Sequence, residues 1–162
     1  MKEHFILDEN AIILAHKLQN EGGEPDDTCL RLFQGIVVRC HAFVLCREIW
    51  SKYLHQLRTL ERQRVPLVPG LMSLITGALR NLAKDTRYLP DDQLVEIEGL
   101  DELAGVDAGD RVFVRAAASV TGSILVTADG RLCSALRAAG IDVRYGFRPM
   151  TPSDALRYVE TG

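Results

Sequence analysis

Short uninterrupted apolar runs alternate along the chain with longer stretches in which apolar residues recur every three or four positions. Phe5-Ile6-Leu7 and His41–Leu45 predict short strands, and Ile124-Leu125-Val126, short and β-branched, predicts a strand buried on both faces. Ala11–Ala15 opens a helix directly after the first run. Leu30, Phe33, Ile36 and Val37 predict an amphipathic helix over Thr28–Arg39, and Ile49, Trp50, Tyr53, Leu54, Leu57 and Leu60 a longer one from Cys46 to about Arg62. Beyond a break at Val65–Gly70, Leu71, Leu74, Ile75, Ala78, Leu79 and Leu82 predict a helix over Leu71–Lys84. Pro90–Gly105 reads as an acidic loop, with Leu94–Ile97 as a short edge strand.

The last third carries the most compact unit, from Gly109 to Gly130. Val112, Phe113, Ala116, Ala117 and Val120 form a helical stripe that Gly122 ends as a C-cap residue, and the Ile124–Val126 strand follows. Leu132–Ala139 then predicts a helix closed by Gly140, Ile141–Val143 a last short strand, and Thr151–Tyr158 the start of a terminal helix with Pro152 in its first turn. Strands alternating with helices imply a three-layer α/β/α sandwich with a mostly parallel central sheet. One domain accounts for residues 1–162, with a helical excursion at about 63–105.

Composition narrows the class. The 162 residues are 47% hydrophobic and 25% charged, values typical of a globular domain and not of a disordered or membrane-spanning one. Met1–Phe5 runs straight into strand pattern without a signal-peptide profile, which predicts a cytoplasmic protein with no membrane contact. Cys29, Cys40, Cys46 and Cys133 are dispersed, contain no CxxC pair and read as small core residues rather than a zinc site. The net charge is −3, yet 15 of the 19 basic residues are arginine, the cation suited to two-pronged contacts with phosphate. Arg58, Arg62, Arg64, Arg80 and Arg87 flank the helical excursion. Each alone reads as surface charge; together they form a candidate RNA-binding patch.

The candidate chemistry lies where strands end. Asp8 follows the first strand, Glu48 falls in the first turn of the helix after the second, Asp110 heads its helix, and Asp129 follows the Ile124–Val126 strand. Each has an ordinary explanation as a helix cap or as a favourable charge at a helix N-terminus. In a parallel sheet, however, the C-terminal strand ends share one edge, so the four carboxylates converge. Crowded carboxylates repel, and hard divalent cations such as Mg²⁺ or Mn²⁺ relieve the repulsion while equipping the site for phosphodiester hydrolysis. The chain lacks GxSxG, a P-loop and GxGxxG.

Taken together, ILDEN (6–10), HAFVLCREIW (41–50), GDRVFVRAAA (109–118), ILVTADGRL (124–132) and TPSDAL (151–156) resemble the PIN domain, a family that includes the VapC-type toxins of toxin–antitoxin pairs. The resemblance covers nearly the whole chain except 63–105. It implies a Mg²⁺- or Mn²⁺-dependent ribonuclease, often a homodimer, with an antitoxin protein as partner. Asp8, Asp110 and Asp129 match three of its acids, and Asn10 and Thr127 match supporting polar residues. The second acid departs from the pattern: Lys52 stands at its position, and Glu48 lies one turn earlier on the same helical face. Either Glu48 takes over the role or Lys52 approaches the scissile phosphate. Asp107, one turn before Asp110, is a supplementary acid or a cap. Two other readings are a catalytically weak PIN-like scaffold that binds RNA or a protein, and a phosphatase or receiver-like domain with Asp8 as nucleophile. Asn10 stands where such a phosphatase needs a second aspartate.

Overall fold

The computed structural model of the protein describes residues 2–63, 77 and 86–162. Five strands, β1 (His4–Leu7), β2 (Ala42–Leu45), β3 (Thr86–Tyr88), β4 (Ile124–Val126) and β5 (Arg148–Met150), form one sheet in the order β3-β2-β1-β4-β5. Every neighbouring pair is parallel; Phe5 of β1 sits opposite Phe43 on one side and Ile124 on the other. All residues of β2 and β4 are buried. Successive side chains on a strand point to opposite faces, so both faces of the sheet are covered and the fold is a three-layer α/β/α sandwich.

The covering helices are α1 (Glu9–Lys17), α2 (Thr28–Val38), α3 (Arg47–Arg62), α4 (Arg111–Ala118), α5 (Gly130–Ala138), α6 (Ile141–Tyr145) and α7 (Pro152–Thr161). Helix α1 packs against α2 and α3, α2 against α7, α3 against α4, and α5 against α6. Among the described residues no helix is long and apolar enough to cross a membrane.

Two elements differ from the sequence pattern. Ile141–Val143 is not a strand but the start of α6, bracketed by Gly140 and Gly146 in the left-handed region at φ +66° and +70°. Ile141 is buried and Val143 82% exposed, a one-sided burial that a short central strand would not show. The fifth strand comes later, at Arg148–Met150, and accepts Pro149 because it is an edge strand. Leu94–Ile97 is likewise no strand. Its backbone is satisfied by side chains, with the Val95 amide donating to Ser119 Oγ at 2.9 Å and Arg115 Nε donating to the Val95 carbonyl at 3.1 Å. The sheet edge there belongs to β3. The helix predicted at 71–84 lies outside the described residues.

Tyr53 of α3 ties three parts of the fold together. Its ring is 1% exposed and stacks on Phe113 of α4 with centroids 6.3 Å apart, while its hydroxyl donates to the Leu7 carbonyl at the end of β1. Burial holds the phenol protonated, with a pKa well above its ordinary value. Tyr53→Phe leaves the Leu7 carbonyl without its partner in a dry site, and urea unfolding is expected to show a loss of about 1–3 kcal/mol. A variant as stable as the wild type would mean that this bond contributes nothing.

Candidate functional site

Strands β1 and β4 are neighbours, but the chain leaves them in opposite directions across the sheet: β1 leads to β2 on one side, β4 to β5 on the other. Such a switch point opens a crevice at the C-terminal strand ends, where α/β proteins receive ligands. Asp8 follows β1 directly, and its amide extends the ladder by donating to the Val126 carbonyl at 2.9 Å. Thr127 and Asp129 follow β4. The crevice opens into a cleft of about 520 Å³ lined by Glu9, Asn10, Glu21, Asp107, Gly109, Asp110, Asp129 and Arg131.

Asp8 is buried behind this lining, 2% exposed, and does not itself line the cleft. Its Oδ1 accepts from the Ala11 amide at 2.9 Å, so it does cap α1 as its sequence position suggests. Burial raises its pKa from 3.8 to about 6; the Thr127 hydroxyl and the Ala11 amide pull the other way, and the charge of Asp110 adds to the rise. Thr127, fully buried, also accepts from the Asp129 amide at 3.0 Å, so one hydroxyl group couples the residues that follow β1 and β4. Asp129 caps α5 through the Arg131 amide at 2.8 Å, with Arg131 Nε 3.6 Å from the same oxygen.

Asp110 is different. It sits at the N-cap position of α4, yet its side chain makes no capping hydrogen bond, and among the described residues it forms no ion pair. Its carboxylate is half-buried at the cleft with a pKa raised first by burial and then by the charges of Asp107, Asp129 and Glu9; the Lys52 ammonium opposes the rise. Asp107 thus enters the cleft as an acid, and its carbonyl also accepts from the Asp110 amide at 2.9 Å.

The other candidates separate. Glu48 is exposed in the first turn of α3 and does not line the cleft. Its charge is felt at Cys46, its own neighbour, and not among the causes acting on Asp8 or Asp110. Lys52, one turn on, reaches the site: its Nζ lies 3.6 Å from the point a Cβ on Gly109 would occupy. Gln56, a further turn along the same face, donates to Glu9 Oε2 at 3.3 Å. None of the described members of the proposed arginine patch lines this cleft. Arg58 and Arg62 are exposed on α3 beyond Lys52, about 9 and 15 Å farther along a helix running away from the acids. Arg87 acts on His4, at the end of β1 opposite to Asp8. Arg64 and Arg80 lie outside the described residues.

Compared with known proteins, the chain matches no family model and no curated protein.

Sequence reasoning missed Glu9, Glu21, Gly109 and Arg131. Glu9 and Arg131 each lie within two residues of an acid already singled out, and first-turn positions of α1 and α5 project from the same edge as the caps that precede them. Glu21 sits in a loop closed by an antiparallel bridge between Gln19 and Pro25, a long-range placement that no local pattern announces.

The cleft therefore gathers hard oxygen donors with an excess of negative charge, which suits a divalent cation in donor type and charge. No three His, Cys, Asp or Glu side chains among the described residues are already arranged to hold one.

The raised pKa of Asp8 has a measurable consequence. The folded chain holds this proton more tightly than the unfolded chain, so stability falls as pH rises from about 4 to about 6, and a cost of about 3 kcal/mol is in place above that window. Asp8→Asn removes the charge and keeps an acceptor for the Ala11 amide. In urea unfolding it is expected to exceed the wild type by ~2–3 kcal/mol at pH 7, with the gap closing toward pH 4. A gap independent of pH would show that folding does not raise the pKa of Asp8.

Proposed function

We propose that the protein is a divalent-metal-dependent endoribonuclease of the PIN type, which hydrolyses RNA phosphodiester bonds at the cleft where β1 and β4 end. The observation that carries this reading is Asp110: a half-buried carboxylate with no hydrogen bond or ion pair among the described residues, crowded by three other acids. A carboxylate left in that state is costly unless a cation completes it. Asp110, Asp8 and Asp129 are the residues that would hold Mg²⁺ or Mn²⁺, with Glu9 and Asp107 adding charge. When bound, the ion supplies Lewis acidity toward a phosphoryl oxygen.

The chain's own groups have separate tasks. Asp8 is held in one orientation by the Ala11 amide and the Thr127 hydroxyl. Thr127 fixes Asp8 and the Asp129 backbone relative to each other. Lys52 and Arg131 are the cations next to these acids, and each offers donors to a phosphate. A toxin role, an antitoxin partner, a homodimer and a cytoplasmic location follow from the resemblance and belong to the same proposal. A PIN-like scaffold of weak activity is the second reading. It is favoured by Lys52 beside the acids and by the lack of a preformed set of three ligands.

Cleavage of a labelled single-stranded RNA with Mg²⁺ or Mn²⁺ tests the two. Asp110→Asn is expected to lose at least about 100-fold in kcat, the upper end of what an outer metal contact alone costs, whereas Glu48→Gln stays within about twofold of wild type. Equal rates for wild type and Asp110→Asn sink the nuclease reading. Binding of the RNA without cleavage supports the scaffold.

A further inference from the structure

Five carboxylates line the cleft, and its lining cation, Arg131, is turned toward Asp129. Lys52 is the second cation at this site. It lines no ion pair among the described residues, and its position is set by its neighbours. Tyr53, the next residue, is buried and locked to Leu7 and Phe113, while Gln56, one turn on, reaches Glu9. The stripe Lys52–Gln56 is thereby held over the acidic rim, with the ammonium above the Gly109–Asp110 turn. Gly109 has no side chain to screen it: a Cβ there would stand in ordinary contact with Nζ.

We propose that the Lys52 ammonium is a built-in counter-charge of this cleft, standing beside Asp110 in place of one divalent cation, so that the site takes a single metal ion. The inference rests on the carboxylate cleft being the metal site of the proposed nuclease and adds to it a stoichiometry and a specificity. A fixed ammonium cannot exchange and has no vacant coordination position, so it neutralises charge and donates hydrogen bonds without acting as a Lewis acid. It also repels a second ion from the space beside Asp110. Removing it leaves the acids under-neutralised and hungrier for metal. Reversing it adds a donor on the same helical face and creates room for a further ion.

Mn²⁺ titration of the full chain, followed by calorimetry and by the electron paramagnetic resonance of free Mn²⁺, provides a readout that does not depend on activity. Wild type, Lys52→Arg, Lys52→Gln and Lys52→Glu are compared, with thermal melts to show that each is folded. Wild type and Lys52→Arg are expected to bind one ion with equal affinity. Lys52→Gln is expected to bind at least roughly tenfold tighter, the scale of one unit charge acting on a divalent ion about 6 Å away even through bulk water, and Lys52→Glu to bind a second ion. Equal stoichiometry, with affinities within twofold, across all four overturns the counter-charge and leaves the nuclease reading standing. Binding by Lys52→Glu but not by wild type overturns the single-ion site and removes metal-dependent catalysis from the native chain. No binding by any of the four overturns both.

Discussion

The burial of one charge governs the cleft. Asp8 follows the central strand so closely that its amide still belongs to the sheet ladder, and its carboxylate has nowhere to go but under the rim. Desolvation on that scale disfavours the ionised form, and the fold answers with two hydrogen bonds, from the Thr127 hydroxyl and the Ala11 amide. Those bonds in turn dictate the neighbours. Ala11 must begin a helix there, and Thr127 must follow β4 in register with β1. The rest of the acidic site hangs from that arrangement.

Tyr53 provides the corresponding constraint on the apolar side. Its hydroxyl grips the residue just before Asp8, and its ring packs on a residue three positions after Asp110. One buried side chain on α3 therefore sets the spacing between two acids that lie in distant parts of the sequence. Because Lys52 is its immediate neighbour, the same anchor decides how far the ammonium extends over the cleft. The buried tyrosine and the lysine at the cleft are adjacent because the helix that carries them has one face to the core and the next residue at its margin.

Much of the architecture is legible in the sequence for a physical reason. Strands β1, β2 and β4 are buried on both faces, and that demand writes unbroken apolar runs. Helices α2, α3 and α4 are buried on one face, which writes a 3.6-residue period. Strand β5 is invisible by the same criterion: Arg-Pro-Met at a sheet edge has neither a run nor an alternation, whereas Ile-Asp-Val nearby imitates one and is helical. At the site, Asp8, Asp110 and Asp129 are legible because each follows a recognisable element boundary. Glu48 also follows one, yet about 6 Å of helix separates it from the turn that meets the acids, and a one-dimensional pattern carries no information about which turn of α3 arrives at Gly109. The arginines are read from sequence clustering alone. Clustering in sequence around an excursion says nothing about which end of the sheet they reach, and Arg87 reaches the end away from Asp8.

The bond from the Asp8 amide to the Val126 carbonyl joins the first strand to the fourth. Everything the cleft needs from the second half of the chain, namely Asp110, Thr127 and Asp129, is made long after Asp8 has left the peptidyl-transferase centre. A nascent chain thus carries its first acid on a strand whose other side is still unpaired, and no cleft exists until β4 has emerged and docked. Synthesis and the site's assembly are separated in time by the fold itself.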